Sequence, residues 1–291
     1  MKKTNIGLKY NPKSYDKSQI PFFLILIPFS LFMILPIVYL FVTSIKPLDE
    51  LLVFPPKFFV RKPTLINFTD LLKRSSSTGL PIYRYILNSI FITTIVTFLS
   101  VIFSSMAGYI LSKKKFHGKN LLFKVNTVAL MFVSSAVMIP RFIIISKLGI
   151  INTMFGHILP LIAIPVGLFL IKQFCDDVPD ELIEAAKLDG AGDFYIYTRV
   201  ILPLIKPAIV TVAILAFQSS WNNTETSSLY VNKEQLQTFA FYLSTLTSSS
   251  NSVATAGVSA AASLILFVPN LIVFILLQSQ VMDTMSRSGI K

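Results

Sequence analysis

The chain has one cysteine, Cys175, two histidines, His117 and His157, and few acidic residues. One cysteine cannot form an intramolecular disulfide, and no Cys/His cluster of metal-ligand spacing exists. No metal site is therefore expected, and an isolated histidine reads as a satisfied or exposed side chain. There is no G-x-x-x-x-G-K-[ST] phosphate loop, so the chain is not expected to bind ATP. Charged residues make up only 14% of the sequence against 53% hydrophobic, with a mean hydropathy of +0.68. That balance excludes an ordinary soluble domain and places the chain in a lipid bilayer. The net charge of +12 raises the question of nucleic acid, but the cations sit at the ends of long apolar runs rather than along one solvated stripe. They fit a membrane protein and no nucleic-acid partner.

Uncharged runs recur at Pro21–Ser44, Tyr85–Ser112, Val125–Pro140, Leu148–Ile171, Pro207–Thr224 and Val258–Leu277. Each approaches the roughly 20 residues that cross a bilayer as a helix, so the expected fold is all-α and polytopic, with six transmembrane helices. The first run follows five lysines but is too long for a signal-peptide core, and it reads as a retained span. The third is the shortest. Lys124 and Arg141 bound it, so it must either snorkel their stems to the headgroups or turn Arg141 toward protein.

An even number of spans puts both termini on one side. With residues 1–20 inside, segments 113–124, 172–206 and 281–291 are inside too, and these four hold sixteen of the 26 Lys and Arg residues. The bias gives both termini as cytoplasmic. The organisation is then an N-terminal segment 1–20, a six-span body 21–280 with an internal loop 176–203, and a tail 281–291. The outer segment 45–84, rich in proline, is expected to be irregular. The outer segment 225–256, with its Ser/Thr-rich stretch Ser244–Ser252, is expected to form turns rather than a packed core.

The loop between spans four and five carries the most local information. Pro179 suits a first helical turn, Asp180, Glu181 and Glu184 complement the positive end of the helix dipole, and Gly190 can take the left-handed conformation that ends a helix. A short helix from Pro179 to Asp189 follows. A second amphipathic piece, with Phe194, Tyr197, Val200 and Ile201 at helical spacing, runs from Asp193 to Leu202 and stops near Pro203.

The series Glu184-Ala185-Ala186, Asp189-Gly190-Ala191, Tyr197 and Leu202-Pro203 resembles the EAA loop of bacterial ABC import permeases. The spacing matches throughout, with Tyr197 where phenylalanine is usual. Weaker similarities extend along the chain, among them Phe54-Pro55-Pro56-Lys57, Ala107-Gly108-Tyr109, Phe116-His117-Gly118-Lys119, Ser220-Trp221-Asn222 and the tail Ser288-Gly289-Ile290-Lys291. Together they point to the carbohydrate-uptake branch of that family, similar to the G-type subunit of maltose permeases. The tail departs from the commoner Gly-Ala-Val-Lys ending.

This resemblance implies a permease subunit of the bacterial cytoplasmic membrane without catalysis of its own. It implies half of a translocation path for a sugar or oligosaccharide, completed by a second, homologous permease as a heterodimer. It further implies two ATP-binding subunits that hold ATP and Mg, and an extracellular or periplasmic solute-binding protein. Glu184, Ala185, Ala186, Asp189, Gly190, Ala191, Tyr197 and Pro203 would couple the loop to the ATPase, with Asp189 equally suited to capping the turn. Gln218, Trp221, Asn222 and Asn223, at the outer end of span five, suit a sugar path by their amide and aromatic chemistry, although Trp221 also suits the interfacial aromatic belt. Ser104, Ser105, Ala107 and Gly108 offer small surfaces for a partner helix. Two other classes compete. A secondary transporter needs ionisable residues in the span cores, and a membrane-embedded enzyme needs paired carboxylates or a nucleophile–base set; neither stands out.

Overall fold

A computed structural model describes residues 20–73, 79–249 and 255–288. The expected N-terminal segment, except Ile20, and the last three residues of the tail lie outside the described residues. Helices dominate the chain: α1 (Ile20–Ser44), α2 (Leu48–Leu51), α3 (Ile66–Lys73), α4 (Ile82–Lys113), α5 (Lys119–Ala129), α6 (Met138–Lys147), α7 (Phe155–Ile162), α8 (Pro165–Asp176), α9 (Asp180–Leu188), α10 (Asp193–Tyr195), α11 (Leu202–Leu204), α12 (Lys206–Trp221), α13 (Glu225–Tyr230), α14 (Phe239–Ser249) and α15 (Ala256–Ser288). Three of these are long and apolar enough to cross a membrane unaided: α1, α4 and α15 through Gln278. Three bent pairs supply the rest, so six crossings result when each pair is one span.

The centre of the bundle is α4, packed along α8 and α12. Gly108 permits the closest approach, since a Cβ there would lie 2.5 Å from Cγ2 of Ile171. Gly108 and Ser105 were expected to offer a surface to a partner helix; instead both are buried, Gly108 against α8 and Ser105 against Tyr197. Helix α1 packs along α15 and is otherwise exposed, burying only Val42, Thr43 and Ser44. An all-round apolar helix with so little internal contact faces lipid or another membrane protein.

The third span departs from expectation. Its apolar run is two helices, α5 and α6, set at 109°. Val133 is extended and Ser134–Val137 forms a single 3-10 turn between them. Pro140 sits in the first turn of α6, where its missing N–H costs no helical hydrogen bond. The fourth span begins later than the hydropathy suggests, because Gly149 and Asn152 take φ of 69° and 60° and end α6 in a turn. It is also broken, by 40° between α7 and α8, since Pro165 disfavours helical geometry at Ile164, which is extended.

Two segments expected to lie outside are more ordered than their composition implies. Within 225–256, α14 buries Phe239, Leu243 and Leu246 against Leu71, Ile82, Tyr85 and Val258. Its hydroxyls turn back on the helix's own carbonyls: Ser244 donates to Phe241, Thr247 to Leu243 and Ser248 to Ser244. The apolar spacing of four and three residues, rather than the serine content, decides the segment. Within 45–84, α3 is anchored by Asn67, whose Nδ2 donates to the carbonyls of Ser44 and Lys46 at 2.8 and 2.7 Å. The stretch between α2 and α3 is irregular, as its prolines suggest.

Candidate functional site

The loop between α8 and α12 is built as a helical hairpin on a buried foot. Helix α9 starts after Pro179, with Asp180 and Glu181 in its first turn, where the dipole favours negative charge. It ends in a complete Schellman motif. The N–H of Ala191 donates to the carbonyl of Ala186 at 2.9 Å, and that of Gly190 to Lys187 at 3.0 Å. Gly190 has φ of +83°. This explains the pattern in backbone terms: glycine supplies the left-handed residue, and Ala186 and Ala191 are the two positions that meet across the turn. Asp189 lies at the C-cap, exposed.

The second arm starts with α10, continues as a π-helical turn over Ile196–Ile201, and ends in α11. Beyond Ile205 the chain bends by 82° into α12. Pro203 and Pro207 lack the N–H groups a straight continuation would use. Ile183, Ile196, Ile201 and Ile205 bury their side chains with Tyr109, Ile171, Cys175, Ala208 and Val212, making one core from the loop and three spans.

Polar contacts fix the hairpin to the end of α4. Lys113 Nζ donates to the Val178 carbonyl at 2.6 Å and pairs with Asp180 at 2.7 Å. Lys114 pairs with Asp193. Ser112 donates to Asp176 at 2.6 Å. The lysine hydrogen bonds hold the Asp180 and Asp193 carboxyls below the usual carboxylate range, and Asp193 raises Lys114 in return. Tyr197 faces inward: its hydroxyl is 2.7 Å from Ser105 Oγ and its ring lies 5.6 Å from that of Tyr109. It holds the hairpin rather than forming its outer surface.

What remains outward is a mixed face. Glu184, Ala185 and Lys187 are exposed, as are Leu188 at 90% and Phe194 at 75%. Large exposed apolar side chains, rimmed by charge and held on an anchored hairpin, suit a contact with another protein. Leu188 was not singled out in the sequence, Phe194 was read there only as one apolar position of the second amphipathic piece, and Lys113 and Lys114 only as part of the charge bias that orients the chain. Their meaning comes from exposure and pairing.

At the other end of α12 the amides and the indole separate. Trp221 is buried, and its indole N–H donates to the Leu266 carbonyl at 2.9 Å. Gln218 is exposed, and Asn222 is exposed and exchanges hydrogen bonds with Asn270. Asn223 accepts the N–H and hydroxyl of Thr226 at 2.9 and 2.8 Å. Arg141 joins α6 to α13 through Glu225 at 3.0 Å, so it faces protein rather than headgroups. His157 is fully buried and satisfied, by Thr226 at 2.7 Å and the Leu236 carbonyl at 3.1 Å. Among the described residues no group of His, Cys, Asp and Glu is placed to hold a metal ion.

Residues 100–281 match the family model described as the binding-protein-dependent transport system inner membrane component. The chain is 31% identical to the arabinooligosaccharides transport system permease protein AraQ of Halalkalibacterium halodurans, over 89% of this chain and 91% of that one. It is 28% identical to the trehalose transport system permease protein SugB of Mycobacterium tuberculosis, over 89% and 92%. Its fold superposes on a chain from the crystal structure of a bacterial ABC transporter that imports the acidic polysaccharide alginate, with a TM-score of 0.79, 24% identity and coverage of 92% and 99%.

Proposed function

The chain belongs to the inner-membrane components of binding-protein-dependent transport systems, and from that premise we propose that it is a sugar or oligosaccharide permease subunit coupled to its ATPase through the α9–α10 hairpin. The observation that carries the coupling is the outward face of Glu184, Leu188 and Phe194 on a hairpin tied to α4, α8 and α12. A docked helix moves those three spans as one body, because its buried side belongs to their core. The carbohydrate reading draws on the relatives' names, arabinooligosaccharide and trehalose systems among them.

In this reading the loop end is cytoplasmic and both termini lie on that side. The partners are two ATP-binding subunits that carry ATP and Mg, a second permease that completes the path, and an external solute-binding protein. ATP binding draws the two docking hairpins together and opens the paired spans outward; hydrolysis resets them. Such coupling needs each ligand to favour one conformation over the other. The test is Glu184→Lys in the reconstituted complex. It reverses a charge on an exposed helix face without touching the core. Insertion should be normal and ATP hydrolysis should lose its stimulation by loaded binding protein. Full stimulation in this variant would remove the hairpin from the coupling mechanism.

A further inference from the structure

Three of the six spans are bent pairs, and the breaks in the third and fourth border one space. The α5–α6 break and the extended Ala163–Ile164 link between α7 and α8 line a cavity of about 330 Å³ together with the outer end of α12, a volume at the low end of small-molecule sites. Interrupted helices at membrane depth leave backbone groups without helical partners, which is tolerated where they meet protein or a water-lined cavity. Part of the demand is met internally: Ser100 donates to the Ile162 carbonyl at 2.8 Å and Asn126 to the Pro165 carbonyl at 3.1 Å. The wall is mixed, with five polar side chains and the Phe132 ring set among small and aliphatic residues. Phe132, Ser134, Arg141, Ser219, Asn223 and Glu225 line it.

Their chemistry is specific. Arg141 and Glu225 are each under 30% exposed and paired at 3.0 Å, so the wall contains both signs in one neutral unit. Asn223 must use its oxygen to accept the Thr226 N–H, which leaves its amide N–H groups for the cavity. Phe132 is 61% exposed and offers a ring face. Donors, acceptors, a hydroxyl and one aromatic face around a neutral pair match a glycosyl residue, whose hydroxyls both donate and accept and whose ring has an apolar side.

We propose that this cavity is a glycan-contacting subsite of the translocation path, selective for uncharged sugar residues. The proposal rests on the carbohydrate reading above and adds the place of contact and the charge class. A uronate would bring a second carboxylate beside Glu225, and the charge of Arg141 is already balanced by that residue. Trp221 is not part of the subsite, because it is buried with its N–H in use.

The experiment uses the complete complex of both permeases, both ATPase subunits and the binding protein in nanodiscs. Three probes are compared for stimulation of ATP hydrolysis: arabinotriose, maltotriose and trigalacturonate. A neutral trisaccharide should stimulate. In the ATP-bound complex carrying Ser219→Cys, that sugar should slow thiol labelling by a small cationic methanethiosulfonate several-fold, with no effect on Ser228→Cys outside the cavity; native Cys175 is buried. Glu225→Gln, which frees Arg141 from its partner, should shift the stimulation ratio toward trigalacturonate. Stimulation of the wild type by trigalacturonate alone, or labelling of Ser219→Cys unchanged by the stimulating sugar, would overturn the subsite while leaving the carbohydrate reading standing. Stimulation by none of the three would remove the carbohydrate reading and the subsite with it.

Discussion

Gly190 allows the coupling model to be tested through a single backbone torsion. Its φ is +83°, and a Cβ built there meets nothing within 4 Å. A substitution therefore costs only the strain of placing an L-residue in left-handed geometry, about 1–2 kcal/mol for alanine, with no clash added. Asparagine tolerates this region and should cost less; valine, stiff at its β-carbon, should cost more. Helix α9 has nine residues, and helices this short are marginal on their own, so the strain falls on a turn with little reserve. A loss of 1–2 kcal/mol corresponds to a factor of about 5–30 in a two-state ratio. Where only the closed turn docks, apparent affinity for the ATPase falls by the competent fraction, which makes that factor an upper bound. Titration of purified ATPase against permease in nanodiscs should rank affinity as glycine, asparagine, alanine, valine. The melting temperature of the membrane bundle should hardly move, since no buried side chain changes. Alanine binding within twofold of glycine would refute the claim that this torsion controls docking.

Gly108→Val should lower the melting temperature of the bundle, because even its Cβ would sit 2.5 Å from Ile171 Cγ2 and overpacking costs about 1–3 kcal/mol; an unchanged melt would show that α4 and α8 separate freely. Tyr197→Phe loses the bond to Ser105 but keeps the ring against Tyr109, a loss of about 0.5–1.5 kcal/mol, so ATPase coupling should survive and its abolition would place the hydroxyl on the docking surface. The Asp180 and Asp193 carboxyls titrate below their ordinary value, so their anchoring is fully present above the normal Asp pKa of about 3.9 and is lost only as pH falls through the lowered value. Proteolysis of the hairpin should accordingly be equal at pH 6 and pH 8, and a strong difference would show that these pairs do not hold it. A membrane-impermeant amine reagent should modify Lys233 in intact cells and Lys187 only after the cytoplasmic face is opened; the opposite result would invert the topology.

Much of this molecule is legible in its sequence because a bilayer leaves few choices. Backbone groups in lipid must be satisfied within a helix, so the uninterrupted runs at Pro21–Ser44, Tyr85–Ser112 and Val258–Leu277 had one available outcome, and α1, α4 and α15 follow them closely. The α9–α10 hairpin was legible for a different reason. Pro179, the early acids and Gly190 each act through local backbone chemistry, and helix, turn and second arm appear where those residues place them. Hydropathy fails where a span breaks, because it sums transfer energies over a window and is blind to whether the window is one helix or two. Val125–Pro140 scores as a span although Ser134–Val137 interrupts it, and Ala163 and Ile164 are as apolar as their helical neighbours while lying extended before Pro165.

The same blindness hid the cavity. Arg141 reads as the edge of a run and Glu225 as the start of an outer segment, 84 residues apart. Only the sharp turn from α5 into α6 brings the arginine to α13. Broken helices and a half-buried ion pair are thus one feature: the break creates both the space and the unmet polar demand, and a paired charge suits such a wall, because each ion satisfies the other while both keep hydrogen-bonding capacity toward the space they enclose. Removing Arg141 alone would leave Glu225 half-buried without its cation. Arg141→Met should therefore impair assembly more than the double substitution with Glu225→Gln, measured as yield of intact complex. A double variant no better than the single one would show that the pair is incidental to the wall.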